Sequence, residues 1–207
     1  MDRRKNDPLT DSLAEYLGAT LHTRDEVLSR PCPIPAARGV YGWWFDALPS
    51  GAIDTSNCEK RDGLTLLYAG ISPSRPPANG TAPSKQTIRT RIKNHYRGNA
   101  AGSTLRLTLG CLLATELGIE LQRTASGKKR HFHQGESILS DWMSEHAFVS
   151  WVENAEPWIL EDNLIENLDL PLNLAGNREH PFFATLSRAR ADLARRAEQA
   201  PTSGKLR

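Results

Sequence analysis

The chain has 207 residues, 39% apolar and 24% charged, enough for one full hydrophobic core or a core with a small appendage, and this balance excludes a disordered or membrane-embedded class. Its 26 Lys and Arg against 24 Asp and Glu leave a net charge of +2, so bulk charge names no partner and any nucleic-acid contact must come from local clusters. Cys32, Cys58 and Cys111 stand far apart and outside any metal-binding spacing, which reads as free thiols in the cytoplasm, and no apolar run reaches the roughly 18 residues that a membrane partner would require.

In chain order, residues 9–29 read as one polar helix with Leu13, Tyr16, Leu17 and Leu21 at helical spacing. Pro31, Pro33 and Pro35 break it and lead into Gly39-Val-Tyr41-Gly-Trp-Trp-Phe45, a strand rich in β-branched and aromatic residues. A polar loop over 48–63 separates it from a second strand over 64–71, most simply antiparallel to the first. After a Pro-rich loop over 72–84, Ser84 caps a helix whose Ile88, Ile92 and Tyr96 form one stripe and which Gly98 stops. Arg91 and His95 border that stripe, while Arg89, Lys93 and Arg97 cluster on another face as a nucleic-acid-binding candidate.

Ser103 caps a further helix to about Leu117, and a small hairpin over 119–133 follows, its basic tip carrying Lys128, Lys129 and Arg130 as a second contact surface for nucleic acid. A helix over 136–146 and a strand over 147–152 come next. Pro157 then opens a helix that ends before Pro171, and a last helix over 181–199 turns Phe182, Leu186, Ala189 and Leu193 inward with Arg188, Arg190, Arg195 and Arg196 outside.

The helix after Pro157 carries an anomaly. At about 100° per residue, Trp158, Leu160, Leu164, Ile165 and Leu168 fill one arc, and Glu161 falls inside it. A carboxylate on a core-facing stripe costs several kcal/mol, on the order of a buried-charge penalty, unless it is paired, protonated or bound to a metal. An ion pair with an Arg at the rim and a metal site are both open on this pattern.

The ordered set Gly39-Val-Tyr41, Tyr68-Ala-Gly70, Arg91-Ile-Lys-Asn-His95, Glu161-Asp-Asn-Leu-Ile165 and Asn173 resembles the GIY-YIG nuclease superfamily, as a stand-alone catalytic domain, over about residues 38–174. The resemblance implies an α/β fold of the α+β type, a small antiparallel sheet flanked by helices. To this core the chain would add an N-terminal helix and lead-in over 1–37, the hairpin, and a C-terminal helix with tail over 175–207. Alanine in Tyr68-Ala-Gly70 departs from the usual β-branched residue but removes no functional group, and the two loops are longer than in a minimal member.

The resemblance also implies a metal-dependent endonuclease acting on DNA, with RNA left open. Glu161 would be the one carboxylate ligand of Mg²⁺ or Mn²⁺, which suits an ion that keeps several waters. Arg91 would clamp the scissile phosphate, and Tyr41 or Tyr68 would act as the base once a nearby cation lowers a phenol pKa ordinarily near 10. His95 would serve as proton relay or phosphate contact, Asn173 would fix the outer part of the site, and Gly39 and Gly70 would be structural. The alternative is a catalytically inactive nucleic-acid-binding module on the same fold, which salt-sensitive DNA binding without cleavage would reveal. Substrate type and oligomeric state stay open.

Overall fold

The computed structural model describes residues 8–79, 82, 84–124, 127 and 129–199. Lys128, part of the hairpin tip and the C-terminal tail lie outside the described residues. The sheet is built from β1 (Gly39–Phe45), β2 (Lys60–Arg61), β3 (Leu64–Ser72) and β6 (Ala147–Glu153), antiparallel throughout in the order β2-β3-β1-β6. The expected hairpin is a separate two-stranded ribbon, β4 (Gln122–Arg123) and β5 (Arg130–His131).

Every residue of β1 is buried, because both faces of the sheet are covered. Tyr41, Trp43 and Phe45 point into a core shared with α2 (Arg24–Leu28), α3 (Ile88–Arg97), α4 (Thr104–Leu112), α5 (Gly135–His146) and α7 (Phe183–Gln199). Val40 and Trp44 point the other way, into a core with α1 (Pro8–Gly18) and α6 (Pro157–Asn167). Alternation along one aromatic strand thus supplies two cores at once. This is the α+β arrangement expected, a four-stranded antiparallel sheet between helical layers. Among the described residues no helix is long and apolar enough to cross a membrane.

Three helix expectations are corrected. The single helix over 9–29 is two, because the chain leaves α1 at Gly18, bridges His22 to Val149, and restarts at Thr23. There Thr23 and Glu26 form a reciprocal capping box that fixes the start of α2. The cap of α3 is Thr87, not Ser84, its side chain accepting from the amide of Thr90. α4 ends at Leu112, and a looser turn carries the chain to Gly118, whose φ of +62° suits a residue without a side chain.

The outer edge of β3 positions the site. β2 covers only its start, and beyond it the segment that follows α6 takes the place of a strand. The Leu172 amide donates to the Leu67 carbonyl at 3.0 Å, and the Asn173 side chain spans Ala69, accepting from its N–H at 2.9 Å and donating to its C=O at 2.8 Å. One primary amide therefore satisfies both groups of a peptide that would otherwise be a buried orphan.

Candidate active site

Tyr41 on β1 lies opposite Gly70 on β3. A Cβ at Gly70 would stand 2.6 Å from the Tyr41 hydroxyl, so the glycine makes room for the phenol rather than for a helix or substrate. The Tyr41 hydroxyl is 2.9 Å from His95 Nε2 on α3, and His95 Nδ1 is 2.7 Å from the hydroxyl of Ser103, which caps α4. His95 is wholly buried. Burial, then the guanidinium groups of Arg91 and Arg106, hold its pKa well below the ordinary value, so the imidazole is neutral. Either neutral tautomer satisfies both neighbours, because the Tyr41 and Ser103 hydroxyls can each donate or accept. A phosphate contact needs exposure that His95 lacks.

The β1–β3 register shifts between Trp43 and Trp44, so that Trp43 pairs with Tyr68 while Trp44 pairs with Leu66. This bulge, with Leu67 as the extra residue, sits directly beside Tyr68 and brings its half-buried phenol into the wall of a cleft of about 290 Å³. Burial pushes the Tyr68 phenol up to about 12, Arg91 and Arg190 pulling it down and Glu161 pushing it further up.

Glu161 shares that cleft wall, as do Thr104, Asn173 and Arg190. Burial, with the neighbouring Asp162 second, raises its carboxyl to about 7. The rim arginine does exist, but Arg75 pairs with Asp162 at 2.5 Å, and among the described residues Glu161 has no cationic side chain within ion-pair distance. Its odd place on the α6 stripe is thus a carboxyl on a cleft wall with no ion-pair contact among the described residues, Arg75 easing its burial only from beyond that distance. Among the described residues no group of three or more His, Cys, Asp or Glu side chains is placed to hold a metal; Asp162 also lines the cleft but is paired with Arg75, so a cation here would rest on Glu161, with water and phosphate completing its shell. A part-buried carboxylate without an ion-pair partner among the described residues fits that demand.

Arg91 is half-buried, donates to the Gly102 carbonyl at 3.0 Å, and lies close enough to Tyr41, Tyr68 and His95 to perturb all three. Burial outweighs it at Tyr41, whose phenol is held far above its usual value. Of the expected set the structure brings Tyr68, Glu161 and Asn173 to one cleft wall, while Arg91 acts on Tyr68 from outside that lining and Tyr41 and His95 are buried behind it. Gly39 is apart from them, required because a Cβ there would meet the Val152 carbonyl at 2.2 Å. Arg89, Lys93 and Arg97 do not line the cleft, and Arg89 is tied to the Ile34 carbonyl. Lys129 is exposed and Arg130 is paired with Glu198 on α7, which holds the hairpin against that helix.

Two arginines escape a motif reading. Arg106 is fully buried, bonds Glu136 through Nε and Nη2 at 3.0 and 2.8 Å, and donates to the His95 carbonyl at 3.1 Å, fixing the end of α3 that carries His95. Arg190 stands in the cleft wall although the outward face of the last helix was its expected place. The same wheel that exposes Glu161 finds it, since at about 100° per residue Arg190 lies within about 40° of Leu186 and about 20° of Ala197, both buried.

The family model described as GIY-YIG catalytic domain matches residues 39–192, which takes in β1 and every site residue above as well as Arg190. No curated protein and no solved structure matches the chain.

Proposed function

From the premise that this chain belongs to the GIY-YIG catalytic-domain family, and so has nuclease-type activity on nucleic acid, we propose that it is a divalent-metal-dependent endonuclease of DNA. The observation that carries the reading is the shared cleft wall of Tyr68 and Glu161, with Arg91 beside the phenol and no cation neutralising the carboxylate among the described residues. A divalent ion held at Glu161 would stabilise charge on the phosphate oxygens and acidify a bound water.

The chain's own groups divide the rest. Arg91 holds the scissile phosphate with its planar fork. Tyr68, the phenol that reaches the cleft, would receive the proton of the attacking water as its phenolate, a form that burial disfavours and that Arg91, more weakly Arg190, and a cation held at Glu161 would favour. Tyr41 lies behind it, buried, and with neutral His95 and Ser103 forms a hydrogen-bonded line along which a proton can shift without exposing a charge. Asn173 keeps β3, and with it Tyr68, at a fixed distance from α6.

The test is cleavage of supercoiled, linear, single-stranded and branched DNA, and of matched RNA, with Mg²⁺ or Mn²⁺, the parent beside Glu161→Ala. Cleavage of DNA that disappears with Glu161 is the expected result. Salt-sensitive binding with no cleavage by the parent across all substrates and both metals would replace the enzyme with a binding module.

A further inference from the structure

Arg190 stands where two cavities meet. It lines the cleft of Tyr68 and Glu161, and it also lines a second groove of about 330 Å³ whose walls include Lys129 and Arg130. Its side chain is half-buried, and its one hydrogen bond to a described side chain is a long 3.4 Å contact with the hydroxyl of Thr108. Among the described residues no carboxylate comes within ion-pair distance of it. Its two titratable neighbours do not neutralise it either. Burial pushes the Cys111 thiol up to about 11 and the Tyr68 phenol up to about 12, so both stay uncharged near neutral pH.

A partly desolvated guanidinium without a counter-charge has electrostatic free energy to gain from an anion, and its planar fork matches two oxygens of a phosphate. Glu161 shares the first cleft with it yet makes no ion pair to it, which leaves space between the two for a substrate group. On the far side the groove is walled mainly by Ala and Leu side chains, with the exposed Lys129 and the Glu198-paired Arg130 as its cations beside Arg190.

We propose that Arg190 binds a phosphate flanking the scissile one, and that the groove beside Lys129 and Arg130 carries the same nucleic-acid backbone away from the cleft. This rests on the nuclease reading for the place of the scissile phosphate, but the site itself is a backbone-phosphate site whether or not the bond is cut. The interaction is with phosphate rather than base, so it sets position and affinity without reading sequence.

The experiment titrates fluorescent single-stranded and duplex DNA with the full chain in EDTA at several salt concentrations, comparing parent, Arg190→Ala, Arg190→Lys and Arg188→Ala. Arg188 is an exposed arginine on the same helix. Arg190→Ala is expected to weaken binding about 5–20-fold and to flatten the slope of log K against log salt by about one. Arg190→Lys is expected to keep the slope, and thermal melts of both variants separate a lost contact from a lost fold. In cleavage assays KM should rise in Arg190→Ala by more than kcat falls, Arg190 being the weaker of the two cations that act on Tyr68. Unchanged affinity and slope in Arg190→Ala would overturn the proposal, as would an equal loss in Arg188→Ala, which would reduce Arg190 to bulk charge. A collapse of kcat at constant KM would also overturn it, since Arg190 would then sit on the reacting phosphate. Should the parent bind DNA and cut none, the nuclease reading fails while the salt slopes still decide for or against Arg190.

Discussion

Glu161 makes folding itself a titration. Its carboxyl is raised to about 7 in the folded chain by burial and by Asp162, against an ordinary value near 4.3 when unfolded. The folded state therefore holds this proton more tightly, and the stability it lends is full below the unfolded pKa and is lost as pH rises through about 7. Glu161→Gln should melt close to the parent at pH 5 in EDTA and above it at pH 8, by on the order of 2 kcal/mol once the shift is discounted for residual exposure. A constant difference across that range would mean the carboxyl is not confined as described. At pH 8, millimolar Mn²⁺ should raise the melting temperature of the parent and leave Glu161→Gln where it is, because only the parent offers the ion a carboxylate. An equal rise in both would move the metal away from Glu161. The same variant thus reports on burial without metal and on ligation with it, neither readout depending on turnover.

Between elements, the join that matters most is that of β3 to the segment after α6, made by the Asn173 amide on both polar groups of Ala69. Asn173→Ala leaves that N–H and C=O without partners at a site only 6% exposed, a loss of roughly 2–4 kcal/mol if each orphan costs about 1–2. Asn173→Asp should be at least as damaging, since a carboxylate accepts from the N–H but turns negative charge on the C=O. Thermal melts order the two variants, and a loss below about 1 kcal/mol in both would show that the edge closes without Asn173. This device was legible only in outline. The spacing of Asn173 from Glu161 marks it, but its task depends on which strand edge is left open, a long-range fact that no local pattern carries. Tyr41, Tyr68, Arg91, His95 and Glu161 are marked as a set by the resemblance to the GIY-YIG family, and each stands on an element whose type the sequence declares. Arg190 was passed over because arginines on a C-terminal helix usually face water, although its place on the apolar stripe was open to the same wheel that exposed Glu161. The break between α1 and α2 was likewise marked, by Gly18 and by Thr23 with Glu26 three residues on.

At the scale of the molecule, the C-terminal helix decides what counts as the catalytic unit. The resemblance places the nuclease core at 38–174 and makes α7 an addition, whereas the family match runs on to residue 192 and α7 is packed into the larger core. Leu186 is wholly buried, Phe182 and Ala197 nearly so, and α7 lies against α4 and β4. Burying the two large side chains contributes about 1.5–3 kcal/mol each, and the faces of Leu109 and Leu113 in the same core would be uncovered with them. Against a typical total of about 5–15 kcal/mol, that loss is a large share of the stability. A chain ending at Asn177 should therefore lose its cooperative thermal transition and expose apolar surface to a hydrophobic dye, rather than fold and cut with altered preference. A cooperative melt from the shortened chain, with DNA binding retained, would make α7 a true appendage. The expected collapse also explains why Arg190 has to be tested by substitution. The helix that brings a phosphate-binding group to the cleft is the helix that closes the core, so α7 cannot be removed to abolish the first role without abolishing the second.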